Sequence, residues 1–175
     1  MSVRVVAVLA AAACLVAAPV ASAEKLGWNE KAKYAGKPVM SYRVVSLTLG
    51  KTSWNAHVSM RNLSNKTIKV GNEFGVGFWT SPKAETLQQV VAFATATKFS
   101  SKVPTELKPG ASWTGVIGGG GHLDATGRFY ARVIFGPFTG FPGQASSVVW
   151  ITDHAKTVGA ATAPRPTTSA PGPVI

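Results

Sequence analysis

Residues 54–63 read Trp-Asn-Ala-His-Val-Ser-Met-Arg-Asn-Leu, and they alternate without a break: Trp54, Ala56, Val58 and Met60 fall on one side, Asn55, His57, Ser59 and Arg61 on the other. Period-two alternation belongs to a strand with one face buried and the other wet. Working outward, the same texture runs from Pro38 to about His154 as short β-branched and aromatic stretches, each closed by Gly, Asn, Ser or Pro. Val39 to Leu49 precedes the quoted strand and ends at Gly50-Lys51; Thr67 to Val70 and Phe74 to Trp79 follow it. Leu87 to Phe99 reads as a further strand, although Ala84 to Gln89 could begin as a helical turn, Ser112 to Ile117 reads as the next, and Arg128 to Phe135 alternates again with Phe129, Ala131, Val133 and Phe135 on one side. Ser147 to Thr152 closes the set. Between them, Gly118 to Gly121 reads as a flexible connection and Gly136 to Gly143 as a Pro/Gly loop carrying Phe138 and Phe141. About seven or eight short strands at these spacings predict an all-β, antiparallel sandwich.

Two turns sharpen this expectation. Asn62-Leu63-Ser64-Asn65-Lys66 follows the quoted strand and leads into Thr67-Ile68, and Leu107-Lys108-Pro109-Gly110 leads into Ala111-Ser112-Trp113. In the second, Pro109 fixes φ at one turn position and Gly110 accepts positive φ at the next. This pairing of an Asn-x-Ser turn with a Leu-x-Pro-Gly turn resembles bacterial secreted immunoglobulin-like domains, over roughly Pro38 to Asp153. The resemblance implies a single immunoglobulin-like β-sandwich. It carries over no functional residues, and no cysteine pair bridges the sheets in the antibody manner.

The ends of the chain speak to compartment. Arg4 precedes an apolar run from Val5 to Val20, and Ala21-Ser22-Ala23 supplies the small residues of a signal-peptidase site before Glu24. Pro19 interrupts the run, which is short for a membrane span of about 20 residues. Residues 1–23 are therefore predicted to be a cleaved signal peptide, with export to the cell envelope or medium and no membrane-spanning segment afterwards. The single cysteine, Cys14, lies inside that peptide; Ala11-Ala12-Ala13 before it is a poor lipoprotein box. The exported part holds no cysteine, which excludes catalytic thiols, zinc–thiolate sites and disulfide support. Residues 24–37 are charged, contain two glycines and read as a lead-in, residues 38–154 as the sandwich, and residues 155–175 as a disordered Ala/Pro/Thr-rich tail with too little apolar surface to order itself.

Eighteen Lys and Arg against seven acidic residues give a net charge of +11. Such a field draws anionic partners over a Debye length of about 8 Å at physiological salt. Outside a cell that means acidic wall polymers, headgroups or stray nucleic acid. The cations are spread from Lys25 to Arg165, a scatter that also fits simple solubility.

Catalytic signatures are missing. No Gly-x-Ser-x-Gly elbow accompanies the serines, the carboxylates are scattered, and Gly118 to Gly121 lacks the Gly-Lys-Ser/Thr of a phosphate loop. His122 with Asp124, and Asp153 with His154, are pairs where a metal needs three or four convergent ligands. No cofactor, metal or catalytic residue is expected. Trp28, Trp54, Trp79 and Trp113 are read as packing residues. The candidate binding residues are Tyr130, Arg132, Ile134 and Trp150, which would form a basic aromatic patch if Phe129 and Val149 point inward, and His122 in the glycine-rich loop. The expectation is a monomeric, non-catalytic binding module for a protein or an acidic cell-wall polymer, without specific nucleic-acid recognition. The alternative is a protease inhibitor acting through Ser81 to Thr86 or Phe138 to Gln144.

Overall fold

The computed structural model describes residues 24–83, 86–120 and 127–159; the stretch expected to be a signal peptide, with Cys14, most of the expected tail, His122 and Asp124 lie outside the described residues. The fold is all-β, with two antiparallel sheets stacked face to face. The first sheet has the order β1 (Lys25–Tyr34), β2 (Lys37–Leu49), β3 (Ser53–Asn62), β9 (Ser112–Gly120), β7 (Lys98–Phe99). The second has the order β6 (Ala92–Thr95), β5 (Gly75–Trp79), β10 (Phe129–Thr139), β4 (Ile68–Val70), β8 (Glu106–Leu107), with β11 (Val148–Ile151) and β12 (Lys156–Val158) also paired to β10.

The alternation in β3 is the one anticipated: Trp54, Ala56, Val58 and Met60 are buried. They join Ala131, Val133 and Phe135 of β10 in one core between the sheets. Aromatic rings knit the layers, with Tyr42 4.5 Å from Phe135 and Phe74 6.0 Å from both Trp113 and Phe135. Each large apolar side chain fully buried this way contributes about 1.5–3 kcal/mol, and without disulfides this burial carries the fold. The four packing tryptophans are all buried.

The two turns singled out in the sequence touch one another. Asn62, fully buried, donates from Nδ2 to the carbonyls of Lys66 (2.7 Å) and Leu107 (2.8 Å), and its Oδ1 accepts from the Ser64 amide at 2.8 Å. Its backbone binds Ala111 and Gly110. One side chain thus closes the first turn and fastens it to the second.

The structure departs from the sequence reading in four places. Residues 24–37 are no lead-in: β1 pairs along β2 and buries Trp28 and Ala32. Its rhythm is hidden because the inward residue between them is Glu30. The sandwich accordingly starts at Lys25 and runs through β12, past His154. Gly118 to Gly120 are strand, not a flexible connection, and pair with Ser53 to Asn55. Glycine is needed there for space, since a Cβ on Gly119 would stand 2.5 Å from the Thr95 carbonyl oxygen. Leu87 to Phe99 is a 3-10 turn (Leu87–Gln89) followed by β6 and β7, which belong to different sheets. Finally, β10 continues through the Gly136-Pro137 pair to Thr139, and Phe138 and Phe141 are buried rather than presented.

Candidate functional site

The expected basic aromatic patch does not assemble. Arg132 and Ile134 are 3% and 2% exposed, and Tyr130 is half-buried with Arg128 5.5 Å over its ring. Trp150 sits on the opposite face. The register pairs Phe135 with Trp150 and Ile134 with Ile151, so Trp150 turns inward against Tyr42, Phe138 and Phe141 while Val149 and Ile151 cover Ile134 and Trp79 outside. A parity shift of one residue in β11 therefore separates Trp150 from its expected companions.

Arg132 is a strut. Its guanidinium donates from Nη1 to the carbonyls of Thr152 and Asp153 and from Nη2 to that of Pro82, tying the β11–β12 link and the turn after β5 to β10. Burial lowers its pKa, opposed by the charges of Asp153 and Glu30. The two loops of the inhibitor reading are braced from within the fold. Gln144 binds back to Phe138 O (2.8 Å) and the Phe141 amide (3.0 Å), and the Pro82 carbonyl in the other loop is taken by Arg132.

Asp153 and His154 meet Glu30 instead of a second ligand pair. The inward carboxylate accepts the Asp153 amide at 2.8 Å, the His154 amide at 2.9 Å, and contacts His154 Nδ1 at 2.8 Å, while Trp28 stacks on the imidazole at 5.8 Å. Both carboxylate oxygens are thus engaged in holding β1 to the second sheet.

The outer face of the first sheet is different. Two rows cross its strands in register: Asn29, Arg43, Ser59 and Thr114 in one, Lys31, Ser41, Arg61 and Ser112 in the next. Neighbouring strands lie about 4.8 Å apart, and diagonal neighbours about 7–8 Å. Lys31, Arg43 and Arg61 consequently form a triangle of exposed cations interleaved with hydroxyl and amide groups. A shallow concavity of about 540 Å³ runs over them. Of the five described acidic residues only Glu30 borders the concavity, and its carboxylate is turned inward to the Asp153 and His154 amides; Glu24 pairs with Lys156, and Glu73, Glu106 and Asp153 lie elsewhere. Among the described residues none of the three cations has an ion-pair partner. His57 is half-buried on the same face.

A sequence signal for the face existed in the outward set Asn55, His57, Ser59 and Arg61 of β3, although it did not identify the neighbours. Comparison with known proteins finds no matching family model, no similar curated protein and no similar solved structure.

Proposed function

We propose that the chain is an exported, non-catalytic binding module of immunoglobulin-like topology that takes up acidic cell-wall polymer on the outer face of its first sheet. The observation that carries this is the acid-free triangle of Lys31, Arg43 and Arg61, set among serine, threonine and asparagine side chains. Cations supply attraction to phosphate or carboxylate groups, and the hydroxyls and amides can donate hydrogen bonds to the same oxygens. A flat sheet face suits an extended polymer better than a compact solute.

The topology supports the immunoglobulin-like reading. Taken in chain order, β2, β3, β9 and β7 neighbour one another as strands A, B, E and D do, and β6, β5, β10 and β11 as C′, C, F and G do. β1 is then an added edge strand, and β4 and β8 an added pair at one end.

The test is binding of purified protein to acidic wall polymer and to neutral polysaccharide at rising salt. Three cations on a flexible polyanion give a slope of log affinity on log salt of about −2, hence about 20-fold weaker binding at 200 mM than at 50 mM salt. Equal binding to the neutral polymer, or binding insensitive to salt, would overturn the proposal.

A further inference from the structure

A second site opens on the flank of the sandwich, where β1 of the first sheet runs beside β11 of the second. The two edges are bridged at one end by Glu30 holding the Asp153 and His154 amides. At the other end the Tyr34 ring stacks 5.7 Å from Phe141, and its hydroxyl donates to the Gly143 carbonyl at 3.2 Å. Between these bridges the inward residue of β1 is only Ala32, and a cleft of about 370 Å³ remains. That is within the range of small-molecule sites.

The lining is chemically specific. Tyr42, Phe135 and Trp150 form an aromatic wall, with the Tyr42 ring 4.5 Å from Phe135 and 5.8 Å from Trp150. Tyr42 is 5% exposed, and its hydroxyl is buried with no hydrogen-bond partner among the described residues. Such a group ordinarily has one. Lys31 and Lys33 line the cleft from the β1 side together with Glu30, whose carboxylate is taken up by the Asp153 and His154 amides, and Asp153 lines it from the other. Burial holds the Tyr42 phenol well above its ordinary pKa, so it remains a donor at any physiological pH.

The geometry points to a binding site for an aryl carboxylate with an oxygen para to its acidic arm: the ring lies against the aromatic wall, the para oxygen accepts from Tyr42, and the carboxylate stays at the rim beside Lys31 and Lys33. Offset or edge-on aromatic contacts favour the ring. A carboxylate left in contact with water avoids the cost of burying a charge. This site adjoins the polymer face and shares Lys31 with it, but the aromatic wall and the Tyr42 hydroxyl belong to the cleft alone, so titration with the small ligands and Tyr42→Phe tests it independently of polymer binding.

The experiment is calorimetric titration of the purified protein with 4-hydroxyphenylacetate, phenylacetate and 4-hydroxyphenethylamine. The first is expected to bind best, the second more weakly for want of the oxygen, and the cationic third not at all. Tyr42→Phe keeps the ring and should weaken 4-hydroxyphenylacetate about fivefold while leaving phenylacetate unchanged, the size expected for one hydrogen bond. Ala32→Met, checked for folding by its thermal transition, should abolish binding by filling the cleft. No binding of 4-hydroxyphenylacetate, equal binding of all three compounds, or an unaltered affinity in Tyr42→Phe would overturn the assignment.

Discussion

Replacing Arg132 by methionine separates a strut from a binding residue. The side chain is 3% exposed, and its guanidinium serves the carbonyls of Thr152, Asp153 and Pro82. Methionine keeps the length and much of the packing but leaves three acceptors without their donor. A hydrogen bond to a charged group contributes about 1.5–3 kcal/mol. Two of the three contacts are only part-buried, so water replaces some of the loss, and relief from burying the charge offsets more. The net expectation is a loss of about 3–5 kcal/mol. For a domain of this size that lowers the melting temperature by about 12–20 °C. Urea unfolding is the assay, with the midpoint falling and the slope unchanged. Arg132→Lys should recover part of the loss, because an ammonium lacks the planar fork that reaches carbonyls on separate segments. Polymer affinity should not change in either variant. A loss under about 1 kcal/mol, within the range of ordinary surface substitutions, or weaker polymer binding by folded Arg132→Met, would refute the reasoning.

Other substitutions probe the frame. Ala35 holds φ 47° before Gly36 at φ 76° in the two-residue β1–β2 turn, so Ala35→Asn should stabilise by about 1 kcal/mol in the same urea assay, since asparagine tolerates the left-handed region. Gly119→Ala drives a Cβ to 2.5 Å from the Thr95 carbonyl oxygen and should cost about 1–3 kcal/mol, as overpacking does. The raised pKa of Tyr42 sets an alkaline limit. Below the ordinary tyrosine pKa, about 10, the folded and unfolded states hold the same proton and nothing is lost. Above it the unfolded chain ionises while the buried phenol does not, so stability falls as pH rises towards the folded pKa. Tyr42→Phe should move alkaline unfolding to higher pH, followed by circular dichroism.

Much of the frame was legible in single segments. The alternation of β3 marks its buried face directly, that of β10 marks the face turned to the main core but not the burial of Arg132 and Ile134 on the other, and the Asn62 and Pro109-Gly110 turns mark strand ends that the structure keeps. What failed depended on distant partners. β1 was missed because Glu30 occupies a core-facing position, tolerable only where the Asp153 and His154 amides meet its carboxylate. The direction of Trp150 follows from its pairing with Phe135, which no local pattern in β11 states. Gly118 to Gly120 looked flexible because a glycine demanded by a neighbouring backbone reads the same as one demanded by a turn. The cationic triangle was invisible for a related reason: Lys31, Arg43 and Arg61 are far apart in the chain and meet only through strand register.

The decisive comparison sets two triple variants of equal charge side by side on acidic wall polymer at fixed low salt. One is Lys31→Ser/Arg43→Ser/Arg61→Ser on the outer face of the first sheet; the other is Lys51→Ser/Lys66→Ser/Lys108→Ser, exposed lysines in turns away from it. Both lower the net charge by the same amount, and thermal unfolding establishes that both remain folded. A face-specific site predicts that the first loses most of its affinity while the second stays near the unmodified protein. Equal losses in the two would mean that the polymer reads total charge alone, and would contradict the account.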